Sequence, residues 1–322
     1  MMLASLTRPL LISSMLAASA FSSLARAVDY PVKPIELVVP ASAGGGTDAL
    51  ARSFAEAAKK HLPQPIIVLN KPGASGAIGM NDVIKAPPDG YKVCVVIAEF
   101  AILPSMGQSR FAVDDFKYVA RLNADPATIT VKADAPWKTI EEFLADAKKR
   151  PGEVTVGNSG VGSIWHLAAA ALEDKTGARF RHVPFQGAGP AVVALLGAHI
   201  DAVAVSPAEV YANVASGKFR TLAVMADQRA KGFENVPTMK ERNIDLSIGT
   251  WRGLGVPKDT PKEIVDVLSA ATKKIVEEPA YRDGLARINL GYAYSDAAAF
   301  KASVESDFQF FKQLAPKLDL KN

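Results

Sequence analysis

An α/β fold in two units, each a mainly parallel sheet flanked by helices, is predicted by three observations. Short β-branched runs alternate with amphipathic helical stretches. Glycine-rich turns join strand ends to helix starts. Polar segments at Asn123 to Pro126 and near Asp245 to Trp251 interrupt the alternation twice. The chain has 322 residues and 49% hydrophobic content, enough for two ordinary domains with real cores. Two crossings imply one unit continuous in mid-chain, 126–246, and one assembled from both ends, 28–125 plus 247–322. A cleft between two such units is a common place for a ligand.

Taken in order, strands are expected at 35–39, 66–69, 92–97, 128–131, 154–157, 181–183, 202–205 and 221–224, each a short β-branched run. Helices are expected at 48–61, 77–85, 140–149, 164–176, 190–196, 207–216, 261–277 and 297–314. Several start cleanly: Thr139 precedes Glu141 and Glu142 in a first turn, Thr260-Pro261 reads as a cap followed by proline at the first helical position, and Pro190 and Pro207 give the same start signal.

The amino terminus reads as a secretory leader. Arg8 supplies a positive region, Leu10 to Ala20 an apolar run too short to span a bilayer, and Ala25-Arg26-Ala27 a cleavage site. Removal after about Ala27 leaves a soluble, exported chain. The net charge is +4, and the leader carries Arg8 and Arg26 but no acid, so the mature value is +2. That small and dispersed charge does not suggest nucleic acid. The single cysteine, Cys94, cannot form an internal disulfide and sits in an apolar strand, so it reads as a small buried hydrophobe. The four histidines, His61, His166, His182 and His199, show no metal-binding spacing, and no cofactor or metal is expected.

The most informative segment is Pro40-Ala41-Ser42-Ala43-Gly44-Gly45-Gly46-Thr47-Asp48, which follows the first strand and runs into a helix. Bare backbone N–H groups at the positive end of a helix form a site for an anion. Gly44, Gly46 and Ala49 also satisfy a dinucleotide-binding spacing, but the next strand ends in Asn70 and Lys71 where that fingerprint needs an acid. Further glycine turns at 73–76, 157–163 and 185–189 also precede helices. A pocket where they converge would offer neutral donors to a carboxylate. Gly157 to Val161 nearly matches the nucleophile elbow G-x-S-x-G, which makes Ser159 the nucleophile of an alternative reading as a secreted serine hydrolase or esterase. The histidines offer that reading no recognisable order. Asp48 reads as a helix cap, Asp201 as a loop anchor and His166 as a core histidine.

In this order, the chain resembles the extracytoplasmic solute-binding proteins of tripartite tricarboxylate transporters, often called Bug receptors. Tyr30-Pro31-Val32-Lys33-Pro34-Ile35 begins the match, and Pro40 to Asp48 fits the family's P-x-x-x-G-G-x-T-D loop. Asn70 to Gly76 resembles N-[RK]-P-G-A-x-G, Pro88-Asp89-Gly90-Tyr91 is P-D-G-Y, and His182 to Gly187 stands where H-V-P-Y-K-G is usual. Leu195 to Asp201 resembles L-L-G-G-Q-V-D, and Val236-Pro237-Thr238 the V-P-T before the return crossing.

The resemblance implies a two-lobed, type II-like periplasmic binding protein, without catalytic activity. It would be a monomer that delivers an organic carboxylate from its interdomain cleft to integral-membrane permease subunits. A receptor feeding a signalling partner is a further alternative. Carried over residue by residue, the ligand-binding positions are Ser42, Gly45, Gly46, Thr47 and Asp48; Ser159, Gly160 and Ser163; Phe185, Gln186, Gly187 and Ala188; and Ser206. The chain departs from the family pattern at Ala41 to Ala43, in place of F-P-P, and at Phe185 and Gln186, in place of Tyr and Lys. Glu99-Phe100 replaces small polar residues, and Trp165 a frequent Gln. Glu99, Phe100 and Trp165 are therefore added to the expected site: Glu99 either points to solvent or meets a donor group on a ligand whose aromatic or amphipathic body carries a carboxylate at its other end.

Overall fold

The structure is a computed structural model that describes residues 29–318, so the expected leader and its cleavage site lie outside the described residues. In chain order the strands are β1 (Ile35–Val39), β2 (Ile66–Asn70), β3 (Lys92–Ile97), β4 (Phe116–Lys132), β5 (Thr155–Asn158), β6 (Arg181–Pro184), β7 (Ala202–Val205), β8 (Phe219–Met225), β9 (Gly249–Pro257) and β10 (Tyr292–Asp296). The helices are α1 (Gly46–Ala58), α2 (Ala77–Ile84), α3 (Glu99–Ile102), α4 (Ile140–Lys149), α5 (Ile164–Thr176), α6 (Ala188–Leu196), α7 (Pro207–Ala215), α8 (Lys262–Glu277), α9 (Pro279–Arg287) and α10 (Ala297–Leu314).

Two sheets share one long strand. In the first, β2, β1 and β3 run parallel, and β9, β4 and β10 extend them antiparallel. In the second, β6, β5 and β7 run parallel, and β4 and β8 are added antiparallel. β4 belongs to both: its residues 116–126 pair with β9, and 127–132 pair with β7 and β8. Each sheet is thus a parallel triplet of the kind that strand–helix alternation produces, completed by antiparallel strands where the chain crosses and returns.

The crossing itself differs from the sequence expectation. Asn123 to Pro126 lies inside the 17-residue β4, not between elements. Asn123 and Asp125 are polar because they face a buried partner described below, and they are 0% and 5% exposed. The return strand β9 escaped the sequence reading because Gly249, Gly253 and Gly255 dilute its strand character. Those glycines permit close backbone approach: a Cβ on Gly249 would lie 2.3 Å from the Asp125 carbonyl oxygen, and one on Gly253 2.3 Å from the Phe300 ring. β10, α9 and α3 were likewise not expected. Thr139 caps α4 as expected, its Oγ1 accepting the Glu142 amide at 3.3 Å. At α8 the cap is Pro261 and the helix begins at Lys262, while the Thr260 hydroxyl is buried with no partner among the described residues.

α1 shows how the helices attach. Leu50, Ala51, Phe54, Ala57 and Ala58 form its buried face, with Phe54 edge-on to Tyr281 of α9 at 6.2 Å. Burial of one such large apolar side chain contributes about 1.5–3 kcal/mol. Cys94 is fully buried in β3, and burial pushes its thiol pKa up, out of the reactive range.

Candidate functional site

The carboxyl ends of the parallel strands of both sheets face one cavity. From the first sheet, β1 ends at Val39 and the loop 40–45 enters α1, whose N-cap is Gly45. Asp48 shapes this loop from below: it accepts the Gly44 amide at 3.0 Å, Arg52 Nε at 3.0 Å and Asn70 Nδ2 at 3.0 Å. Burial works to raise its pKa, but these hydrogen bonds win and hold it below the usual carboxylate range. Asn70 also ties the loop through the Ala41 carbonyl at 3.1 Å. β3 ends at Ile97 and delivers Glu99 at the start of α3.

From the second sheet, β5 is followed by Ser159, β6 by Gln186 and Gly187, and β7 by Ser206 and α7. Gly187 is the N-cap of α6 at φ +116°, a conformation open to glycine. The two sets of loops touch. Ser42 Oγ donates to the Gln186 carbonyl, Ser75 Oγ donates to the Val161 carbonyl at 2.6 Å, and the Ile164 amide donates to Glu99 Oε1 at 3.1 Å. The cavity they enclose has about 50 Å³ of water-accessible space, room for a few waters or a small ligand.

The floor of the cavity is charged, a feature absent from the sequence expectation. Arg252 of β9 is 2% exposed; its Nε donates to Thr47 Oγ1 at 2.8 Å, and its Nη1 to Asp125 Oδ2 at 3.0 Å and Asn123 Oδ1 at 3.2 Å. Its Nη2 lies 3.7 Å from Glu209 Oε1 on α7, across the cavity from β9. Glu209 Oε2 accepts the Ser206 amide at 2.9 Å. Burial pushes the Glu99 and Glu209 carboxyls up; Arg252 opposes the rise in both, and the Glu209 charge adds to that of Glu99. The only hint in the sequence was a lone arginine within a glycine-rich, apolar stretch, Trp251-Arg252-Gly253-Leu254.

Of the residues expected at the site, Ser42, Gly45, Gly46, Thr47 and Glu99 line the cavity from the first side. Ser159, Gln186, Gly187 and Ala188 line it from the second. Pro40, Ser75, Thr250, Arg252 and Glu209 join them. The remaining expected residues lie outside the lining. Asp48 organises the loop as described. Phe100 is turned into the core, its ring centroid 5.1 Å from Phe111, 5.1 Å from Phe116 and 5.5 Å from Phe308. Trp165 is buried on α5 at 3% exposure. Ser163 caps α5 by accepting the His166 amide at 3.2 Å. Gly160 turns at φ +128° and donates to Asn158 Oδ1 at 3.0 Å, and Phe185 packs beside Gly157. Ser206 is the buried N-cap of α7.

The aromatic ligand body rested on Phe100 and Trp165, and among the described residues no aromatic side chain lines the cavity. Glu99 is turned inward at 5% exposure, not toward solvent. His166, the histidine nearest Ser159 in sequence, has Nδ1 engaged by the Gly162 amide at 3.1 Å and its ring against His182 at 4.6 Å, so it is not placed as a base.

The family model described as tripartite tricarboxylate transporter family receptor matches residues 50–319. A TctC solute-binding protein from Polaromonas, solved with no ligand, is 61% identical, with TM-score 0.68 over 90% of this chain and all of its own. The periplasmic binding protein BugD is 30% identical, with TM-score 0.85 over 89% of this chain and 98% of its own. MatC from Rhodopseudomonas palustris, solved with bound malate, is 26% identical, with TM-score 0.82 over 88% of this chain and 99% of its own. This chain belongs to the tripartite tricarboxylate transporter receptor family, whose members are periplasmic solute-binding receptors and not enzymes.

Proposed function

We propose that this protein captures a small organic carboxylate in the cavity between its two sheets and delivers it to integral-membrane permease subunits. One observation carries the reading: the amino-terminal ends of α1 and α6 and the guanidinium of Arg252 converge on one enclosed space. Unpaired N–H groups and helix dipoles there favour an anion. Micromolar affinity requires about 8 kcal/mol. A helix terminus contributes ~0.3–1 kcal/mol, so charge-assisted hydrogen bonds at about 1.5–3 kcal/mol each supply most of it. The malate bound by MatC, a relative of the same fold, supports the ligand class.

The contacts of Ser42, Ser75 and Glu99 across the cavity support a closed form that shuts water out around the ligand, and β4 and β9 form the pivot. The ligand-free Polaromonas protein superposes less well as a whole than the malate-bound one despite its higher identity, which also supports relative movement of the halves.

The test is a thermal-shift and calorimetry screen of ligand-free protein against aliphatic mono-, di- and tricarboxylates, aromatic acids and amino acids. A binding acid raises the melting temperature saturably, by mass action on the folded state. Absence of any shift across that panel overturns the reading. Delivery is tested separately, by permease-dependent uptake in cells that lack the receptor.

A further inference from the structure

The charged residues that line the cavity are Glu99, Glu209 and Arg252, and the arginine is already shared by two acids. Asp125 Oδ2 accepts Arg252 Nη1 at 3.0 Å, and Glu209 Oε1 stands 3.7 Å from Arg252 Nη2 with its Oε2 on the Ser206 amide. Glu99 has no such partner: among the described residues no lysine, arginine or histidine pairs with it. Its Oε1 accepts the Ile164 amide at 3.1 Å, and Oε2 has no partner from another residue among the described residues. That one bond runs between the halves, because Glu99 opens α3 after β3 of the first sheet and Ile164 opens α5 after β5 of the second. Part of what surrounds this carboxyl therefore arrives only when the halves meet.

An unpaired carboxyl, closed in beside an incoming anion, is better neutral. Its carbonyl oxygen keeps the amide, and its hydroxyl becomes a donor. Burial raises the Glu99 pKa first; the amides of Ile164 and of Glu99 itself and the charge of Arg252 on β9 oppose the rise, and the charge of Glu209 on α7 adds to it. The other elements beside α3 bring no cation to bear. On α10 Asp307 is turned to Trp251, and Lys301 to Asp114 and Glu305; on α2 Asp82 is held by Lys71 and Lys92; on α5 the His166 ring is engaged by the Gly162 amide.

Building on the carboxylate reading above, we propose that Glu99 takes up one proton from solvent as the halves close round the ligand, keeps the Ile164 amide on Oε1 and donates from Oε2 to the ligand carboxylate. Binding is then linked to pH through one residue, at a position where the chain departs from its family pattern.

The experiment is isothermal titration of ligand-free protein with succinate, malate, adipate and any other acid of the panel that binds. Titration at pH 7 in two buffers of unlike ionisation enthalpy counts the protons taken up per ligand. The wild type, Glu99→Gln, Glu99→Ala and Glu209→Gln are compared, with each melting temperature checked. At that pH the ligand acids are ionised and His166 is neutral, so neither enters the count. The wild type is expected to take up close to one proton. A group whose pKa is higher in the complex than in the free protein strengthens binding at low pH and ceases to as pH rises through the complex's value, so wild-type affinity is expected to fall between pH 6.5 and pH 8.5, by up to about tenfold per unit. Glu99→Gln keeps an acceptor for the Ile164 amide and an N–H donor for the ligand. It is expected to bind within about threefold of the wild type at pH 6.5, with no proton uptake and a flat pH profile. Glu99→Ala has no donor and is expected to bind roughly tenfold to hundredfold more weakly than Glu99→Gln. Glu209→Gln is expected to retain most of the uptake. If Glu99→Gln does not fold, the infrared band of a protonated carboxyl, present in the wild-type complex and absent from that of Glu99→Ala, replaces it. No uptake by the wild type overturns the inference and leaves the carboxylate reading standing. Uptake that survives Glu99→Gln, or that Glu209→Gln alone abolishes, overturns it too, as does equal affinity of the Gln and Ala variants. No binding by any acid overturns both.

Discussion

Asp125 and Arg252 meet at 3.0 Å across the β4–β9 ladder, each side chain only 3% exposed, at the place where β4 leaves one sheet for the other. Asp125 Oδ1 also accepts the Gly291 amide at 2.7 Å, and Asn123 Nδ2 donates to Oδ2 at 2.5 Å. Burial pushes the Asp125 carboxyl up, and Arg252, Gly291 and Asn123 oppose it. One pair therefore ties β4 to β9 beside the crossing and aims the cavity's cation. Asp125→Ala leaves a buried guanidinium unpaired and is expected to cost about 3–5 kcal/mol in urea unfolding. The double change Asp125→Leu with Arg252→Met removes both charges and is expected to recover most of that stability while ligand affinity stays lost. Recovery of affinity along with stability would show that Arg252 holds the fold and not the ligand.

Gly46 and Gly45 separate the chemistry of the loop from its conformation. A Cβ on Gly45 has its nearest neighbour at 3.8 Å, whereas one on Gly46 would stand 3.2 Å from Arg252 Nη2. That guanidinium is clamped by Thr47, Asn123 and Asp125 and has little room to yield. Gly45→Ala is expected to leave affinity within about threefold, a few tenths of a kcal/mol. Gly46→Ala sets up to ~1 kcal/mol of helix propensity against the crowding of Arg252, and is expected to leave the melting temperature unchanged or lower and weaken binding tenfold or more. Titration and thermal melts of the two variants check this.

The sequence made the turn loops legible because glycine at a strand end followed by a helix start is a local signal. Ser42, Gly45, Gly46, Gln186 and Gly187 could be placed without knowing the topology. Arg252 and Glu209 could not. Arg252 reaches the cavity only because β9 returns from residue 249 to pair with residues 116–126 of β4, and Glu209 only because α7 follows a strand of the other sheet. Phe100 went astray for the opposite reason. It adjoins Glu99 in sequence, yet on the short α3 consecutive side chains diverge, so Glu99 meets the cavity and Phe100 the core.

That divergence is itself testable. Phe100 is fully buried among Phe111, Phe116 and Phe308. Phe100→Ala is expected to destabilise the protein by about 3–5 kcal/mol with ligand affinity, measured where the variant remains folded, changed by less than about threefold. A selective loss of affinity at unchanged stability would return Phe100 to the site.

Ser75 bridges the loops of the two sheets without touching a charge. Its hydroxyl gives the Val161 carbonyl a hydrogen bond of 2.6 Å from the loop before α2 to the loop before α5. Ser75→Ala removes one closing bond worth about 0.5–1.5 kcal/mol. Affinity is expected to fall by about three- to tenfold, mostly through faster release, with the melting temperature of the ligand-free protein unchanged. Stopped-flow dissociation rates measure it, and an unaltered off-rate would remove this contact from the closing set.

His166 is 2% exposed, its Nδ1 accepts the Gly162 amide at 3.1 Å, and its ring lies 4.6 Å from His182. His182 in turn holds Glu173 through Nε2 at 3.0 Å, so His182 and Glu173 are the ionisable groups on this side of α5. Burial first, and the His182 charge second, lower the His166 pKa from 6.5 to about 4. The unfolded chain therefore binds a proton between those values that the folded protein refuses, and stability falls as pH drops from 6.5 toward 4, by up to about 3 kcal/mol. Above pH 6.5 both states are neutral and this contribution is complete. His166→Gln keeps an acceptor for the Gly162 amide but has nothing to titrate. The wild type is expected to lose about 2–3 kcal/mol more than the variant between pH 7.5 and pH 4.5 in urea unfolding, since the carboxylates common to both cancel in the difference. Ser159 lies just before Gly162 in the same loop, so ligand affinity is expected to fall over the same window in the wild type and less in the variant. Identical pH slopes for the two proteins would mean that His166 is not the group that acid attacks.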